Sequence, residues 1–329
     1  MSSPLRDRID LVTMLGLQPD ARSLTLKLDP RKVPGLTGSH RSHLLGRGMT
    51  FAEHRPYQAG DDIRHIDWRV SARSQHTYSK VFQEETQQPV ELLVDQRSTM
   101  YFGSGDKFKS VLAAELAALL TWAGLANNDR VGGLVFDDIS HQHVKPAQHK
   151  RQTVRLFDVI DKFNGKLCQQ RGSARTSAAS SLNSALDEIT RLSRPGTLCL
   201  LVSDFEGLLD ELPKANSASD SAGSRAPALS SEQILFRLRR HNQIFAFLVY
   251  DPLELALPGP SLELCNGSGE RLALPERQAA LDEINLALQE RHEAKIRKLE
   301  ALKCIVVPIA TTEAPAEVLR SISNRSGAR

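Results

Sequence analysis

The sequence predicts an α/β protein built on a mainly parallel sheet flanked by helices. Three observations carry that expectation. From Pro89 onward, short β-branched or Leu-rich runs alternate with longer helical stretches. Each short run is near-continuous apolar, as a strand buried on both faces must be. The chain has 329 residues, 40% hydrophobic and 25% charged, which is ordinary globular composition and length enough for a sizeable core.

Taken in order, the expected strands are residues 90–94, 131–136, 197–202, 244–250 and 305–309. The expected helices between them are 106–127, 149–163, 182–192, 232–241 and 275–303; the last carries Leu281, Ile284, Leu288, Leu299 and Leu302 on one face. Residues 171–181 read as a loop, and 215–231, a Ser/Ala/Gly mixture with Pro227, as a mobile surface insertion. Residues 1–88 lack a βα alternation. They give a short helix near 5–15, a strand-like 23–28 and a long polar segment with aromatics, so the expected division is an N-terminal segment 1–88 packed on an α/β domain 89–329.

Charge and cysteine content narrow the class. Residues 1–88 carry 13 Lys and Arg against 10 Asp and Glu, far from the dense basic patch of a nucleic-acid binder. The four cysteines stand 31, 66 and 39 residues apart with no C-x-x-C pair, and read as reduced, mostly buried thiols. The longest uncharged apolar run near the middle, Leu116 to Asn128, is 13 residues, and Arg6, Asp7, Arg8 and Asp10 stand where a signal peptide needs an apolar stretch. A cytoplasmic location without membrane insertion is the expectation. P-loop, G-x-S-x-G and H-E-x-x-H motifs do not occur.

In open parallel sheets ligands collect beyond the carboxyl ends of the strands. Asp95 closes one expected strand and Asp204 another. Both can be read as turn caps. Around the first the order is Asp95-Gln96-Arg97-Ser98-Thr99-Met100, which resembles the Asp-x-Ser-x-Ser loop of von Willebrand factor A domains, where hydroxyls and carboxylates hold a divalent ion. The resemblance implies a metal set of Asp95, Thr99, Ser180 and Asp204. Arg97 departs from it, because a guanidinium has only donors. At about 4 Å and an effective dielectric of 20 its repulsion of a divalent ion is roughly 8 kcal/mol, against about 4 kcal/mol for a millimolar site. Arg97 therefore blocks or replaces the ion, by a fork onto Asp95 or Asp204, unless it snorkels outward. The expectation is a degenerate site with no cofactor and Mg²⁺ disfavoured.

A second stretch, running from Gly48 through Gly60-Asp61-Asp62-Ile63-Arg64-His65-Ile66-Asp67-Trp68 to Ser71-Ala72-Arg73, is similar to the Gly-Asp-x-x-Arg-x-Ile-Asp-Trp signature of the bacterial domain of unknown function 58 family. That resemblance covers about residues 40–310 and includes Asp251-Pro252. It implies a von Willebrand A-like fold and partnership with a MoxR-type AAA+ ATPase, with no settled enzymatic activity and clients unknown. Two readings of the signature stand beside each other. In one, the signature residues Gly60, Asp61, Arg64, Asp67, Trp68 and Arg73 are structural: Asp61, Asp62 and Asp67 interleave with Arg55, Arg64, Arg69 and Arg73 in an ion-pair network that fastens the N-terminal segment to the sheet, with Trp68 as its apolar anchor. In the other, Glu53, Asp61, Asp62, Asp67 and His54 or His65 form a divalent-metal-dependent hydrolase site.

Overall fold

The computed structural model describes residues 5–22, 24, 49–58, 66–74, 76–84, 88–170, 178–210, 229–259, 263–265, 271–273 and 277–327. In chain order the elements are α1 (Leu11–Gly16), α2 (Gln18–Ala21), β1 (Met49–Pro56), α3 (Trp68–Ser71), β2 (Tyr78–Glu84), β3 (Pro89–Asp95), α4 (Lys109–Ala126), β4 (Arg130–Phe136), β5 (His141–Ala147), α5 (Lys150–Gln170), α6 (Ala178–Leu192), β6 (Leu198–Ser203), α7 (Ser231–Arg239), β7 (Gln243–Tyr250), β8 (Glu263–Cys265), β9 (Arg271–Ala273), α8 (Gln278–Ala301), β10 (Ile305–Ala310) and α9 (Pro315–Gly327). The chain forms two units, residues 1–39 with 89–329, and residues 40–88. Of the N-terminal stretch, the described residues 5–22 and 24 belong with the α/β unit.

The larger unit is a mixed α/β structure around a six-stranded sheet in the order β10-β7-β6-β3-β4-β5. All neighbours are parallel except β4 and β5. Period-2 alternation sends Val90, Leu92 and Val94 of β3 to one face with α1, α4, α5 and α9. Leu93, Leu134, Leu201 and Leu248 go to the other, under α6, α7 and α8. Both faces are covered, which is why the five parallel strands read as apolar runs. The chain builds outward from β3 to β5 on one side, then from β6 to β10 on the other, so the order reverses between β3 and β6. That switch point is where a parallel sheet opens a crevice at its carboxyl edge.

Helix α4 has the length and hydropathy of a membrane span, yet 89% of its apolar window is buried inside the protein. It is apolar all round because it is enclosed by sheet and helices. The N-terminal residues strap across it: Arg6 N–H donates to Asp106 O and Phe108 N–H to Arg6 O, and Trp122 Nε1 donates to Met14 O at 3.1 Å. Asp10 caps α1 through Thr13 N at 2.8 Å.

Two expectations are corrected, and two elements were not expected at all. Residues 5–10 are not helical, and the helix expected near 5–15 starts at Leu11 after its cap. The loop expected to reach residue 181 ends earlier, since α6 begins at Ala178 and takes Ser180 into its first turn. Strand β5 and helix α9 join the fold unforeseen. In β5 only Val144 is fully buried, so the run His-Gln-His-Val-Lys-Pro-Ala shows no strand pattern. It is an edge strand, where Lys and Pro are tolerated. Apart from Leu24, the expected strand 23–28 lies outside the described residues, as does nearly all of the insertion 215–231.

The smaller unit is the antiparallel pair β1 and β2 with the single-turn helix α3. Asp67 caps that turn, accepting from Arg69 N at 3.0 Å and Val70 N at 3.2 Å. Ser71 Oγ accepts from Tyr78 N at 2.8 Å. Ser71 and Val70 take the turn's inner side, and Trp68, expected as a buried anchor, is 70% exposed. Arg73 is exposed as well; Gly60, Asp61, Asp62 and Arg64 lie outside the described residues.

Candidate functional site at the sheet switch point

Asp95 is the last residue of β3 and Asp204 follows β6, which places the two carboxylates side by side where the strand order reverses. Arg97 lies between them. Its backbone N–H donates to Asp95 Oδ1 at 3.0 Å, folding the chain back on itself. Its Nε then reaches both Asp95 oxygens at 3.0 Å, and Nη2 reaches Asp95 Oδ2 at 2.6 Å and Asp204 Oδ1 at 3.2 Å. Nη1 donates to Glu206 O at 3.0 Å. The guanidinium also lies 5.4 Å from the Phe136 ring centroid.

A second cation completes the cluster. Lys109, the first residue of α4, donates to Asp204 Oδ2 at 3.0 Å and to Glu254 Oε1 at 2.6 Å. Glu254 comes from the 3₁₀ turn Pro252–Glu254 after β7, where its other oxygen accepts from Asp251 N at 2.9 Å. Lys295 of α8 reaches Asp204 O at 3.1 Å and Glu206 Oε2 at 2.6 Å, and Arg291 pairs with Glu206. Ser203 Oγ donates to Asp95 Oδ2 at 2.6 Å and accepts from Phe205 N at 2.9 Å. Phe205 has φ +50°, an unfavourable left-handed conformation for an aromatic residue, held by this turn.

The electrostatics follow from burial against pairing. Burial pushes the Asp204 carboxyl up, but Lys109, Arg97 and Lys295 outweigh it and hold the group well below the usual carboxylate range. Burial likewise works against the charge on Arg97 and on Lys109, and the facing carboxylates reverse it, so both stay protonated. The cluster is a closed set of ion pairs with almost no solvent contact at Arg97, Lys109, Asp95 or Asp204.

Thr99 and Ser180 are not drawn in alongside them. Thr99 sits in the 3₁₀ turn Ser98–Met100, and its Oγ1 is buried with no hydrogen-bond partner among the described residues. Ser180 lies in the first turn of α6, with its side chain outside the described residues. A divalent ion does not fit this donor set. The oxygens it would need on Asp95 and Asp204 already accept from Arg97, Lys109 and Ser203, and a guanidinium occupies the space between them. Among the described residues no three His, Cys, Asp or Glu side chains converge as metal ligands.

Asp251 fastens the edge of the site. It accepts from Ser104 N at 2.9 Å, Ser104 Oγ at 2.5 Å and Thr311 Oγ1 at 2.5 Å, which ties the loop before α4 to the ends of β7 and β10. Sequence reasoning missed Lys109, Glu254 and Lys295. Lys109 had a signal: it opens a helix that carries only one other charged residue, Glu115. Glu254 had one too, as the fourth residue of an Asp-x-x-Glu capping pattern.

Fold and site together define an α/β protein with a buried, self-neutralised ion cluster at the switch point of a mostly parallel six-stranded sheet. A family model described as a protein of unknown function, DUF58, matches residues 53–282, and the chain belongs to that family. It is also similar to uncharacterized proteins of Mycobacterium bovis and Mycobacterium tuberculosis, each 27% identical over 190 residues, which is 56% of this chain and 56% of the relative. The match therefore spans about half the length of those relatives.

Proposed function

We propose that this protein is a non-catalytic interaction module of von Willebrand A type, an adaptor that works in the cytoplasm with a MoxR-type AAA+ ATPase in assembling or activating protein complexes. The observation that carries the reading is Arg97. Its guanidinium spans the two carboxylates that would hold an ion in a metal-dependent adhesion site, and a built-in cation leaves the surrounding loops pre-formed. A rigid crevice edge with its charges neutralised internally suits docking, since little ordering entropy is lost on binding. Hydrolysis has less support, because Asp67 is engaged as a helix cap and no carboxylate of the buried cluster is free to activate water.

The test is capture of the purified MoxR-type ATPase from the same genome by the full-length chain. Binding that is lost when Ile139, exposed in the loop after β4, is changed to Arg supports the reading. Absence of binding with ATP, with ADP and without nucleotide overturns it.

A further inference from the structure

Beside the ion cluster, at the carboxyl end of β4, lies a cavity of about 200 Å³ between the β4–β5 turn and α6. Phe136, Ala185 and Ile139 are its apolar lining, and Asp138, His141 and Ser184 its polar groups. Cofactor and drug-sized pockets run to roughly 300–1,000 Å³, so this one is sized for a single side chain.

The charge distribution decides which kind. Asp137 is committed: it accepts from Ile139 N at 2.8 Å and Ser140 N at 2.6 Å, and pairs with Lys166. Asp138 is different. Ser98 supplies its hydrogen bonds, through N–H at 3.0 Å and through the hydroxyl, and among the described residues no Lys, Arg or His nitrogen lies within ion-pair distance of it. A carboxylate has about four acceptor sites, so capacity is left over. Arg97, the cation whose charge acts on Asp138, is fully buried and pairs with Asp95 and Asp204. Burial pushes the Asp138 carboxyl up, and the two hydrogen bonds from Ser98, with the more remote charge of Arg97, only partly offset it.

We propose that this cavity receives a basic side chain of a partner protein, best an arginine, whose head group forms a charge-assisted fork with Asp138 while its methylenes lie along Phe136, Ala185 and the exposed Ile139. An arginine matches both walls, since its planar donors suit a carboxylate and its stem suits an apolar lining. An acidic partner residue would meet Asp138 head on. Where a bound metal ion would present positive charge to a partner, this edge hides its cation and presents a carboxylate. The inference rests on the reading of the edge as a docking face, and it fixes the sign of what docks.

The test is titration of the isotope-labelled full-length chain with N-acetyl-arginine methylamide, followed through the backbone amide resonances of Ser98, Ile139 and Ser184. Saturable shifts at millimolar probe, absent with the corresponding glutamate derivative, are expected. Asp138→Asn should weaken the arginine probe at least about tenfold, and Ser184→Arg, a change at an exposed position that fills the cavity from α6, should abolish the response. Equal shifts with both probes, no saturable shift with arginine, or undiminished affinity in Ser184→Arg overturns the inference. These outcomes do not depend on the ATPase, so failure to capture the ATPase and failure of the cavity remain separate results.

Discussion

Arg97 Nη2 lies 2.6 Å from Asp95 Oδ2, with neither side chain exposed to solvent. Two residues separated by one position thus close a ring through side chain and backbone at the end of the central strand, and the same guanidinium reaches across the switch point to Asp204. The geometry makes the strand ends β3 and β6 mutually dependent. Removing either carboxylate leaves a buried cation without its counter-charge, and that asymmetry governs the expected behaviour of variants.

Asp204→Asn should destabilise the fold by about 3–5 kcal/mol in chemical denaturation, because Arg97 and Lys109 lose a shared partner. The pH dependence has a definite sign. The Asp204 carboxyl is held below its unfolded value of about 3.9, so the unfolded state binds the proton first as pH falls. Its contribution is fully present above about pH 4 to 5 and is lost as the pH drops towards the folded value. The variant should therefore show a shallower acid limb than the wild type; parallel limbs would separate Asp204 from acid stability.

The two tryptophans should behave oppositely. Trp122 is 6% exposed, meets Phe157 edge to face at 5.7 Å between ring centroids, and donates to Met14 O; Trp122→Ala should cost about 3–5 kcal/mol. Trp68 is 70% exposed, and Trp68→Ala should fall within about 0.5 kcal/mol of wild type. Thermal melts of both variants check the pair, and a large loss at Trp68 would mean that its ring is covered.

Gly132→Ala probes the sheet edge. A Cβ there would sit 2.4 Å from Pro146 N and 2.5 Å from Val144 O, both backbone atoms of β5 that cannot swing aside. Pairing shifts register next to this glycine, between Val131 and Gly133. The expected loss is about 1–3 kcal/mol, with hydrogen exchange accelerated in β5 and unchanged in β6 and β7. Uniform acceleration would show that β5 is not a separable edge.

How much of this was legible in sequence follows from where each signal resides. The five parallel strands announced themselves because burial on both faces forces an unbroken apolar run, as in Leu198–Ser203. Strand β5 did not, since a polar edge strand satisfies one ladder and leaves no pattern. Asp95 and Asp204 were identifiable from their place after strands. Whether Arg97 turned inward or outward was not, because that depends on Asp204, 107 residues away. Lys109 was hidden for the same reason, its partners lying 95 and 145 residues further along the chain. Local chemistry was readable, whereas long-range charge pairing needed the fold.

Arg97→Ser tests whether the guanidinium stands in for an ion. The variant loses the cation between Asp95 and Asp204 and should be less stable than wild type by about 3–5 kcal/mol, as when one member of a buried pair is deleted. Space and acceptor lone pairs then become available to Mg²⁺ or Mn²⁺, and a ligand that binds only the folded state stabilises it by about 2.7 kcal/mol at 100 times its dissociation constant. Lys109 works against full recovery, because it stays on Asp204 Oδ2 and repels the ion. Calorimetric titration should therefore give no heat with the wild type and weak, millimolar binding with the variant, whose melting temperature rises with added metal while that of the wild type does not. Tight Mg²⁺ or Mn²⁺ binding by the wild type would mean that Arg97 leaves the site, and would make a ligand of Thr99, whose hydroxyl has no partner among the described residues.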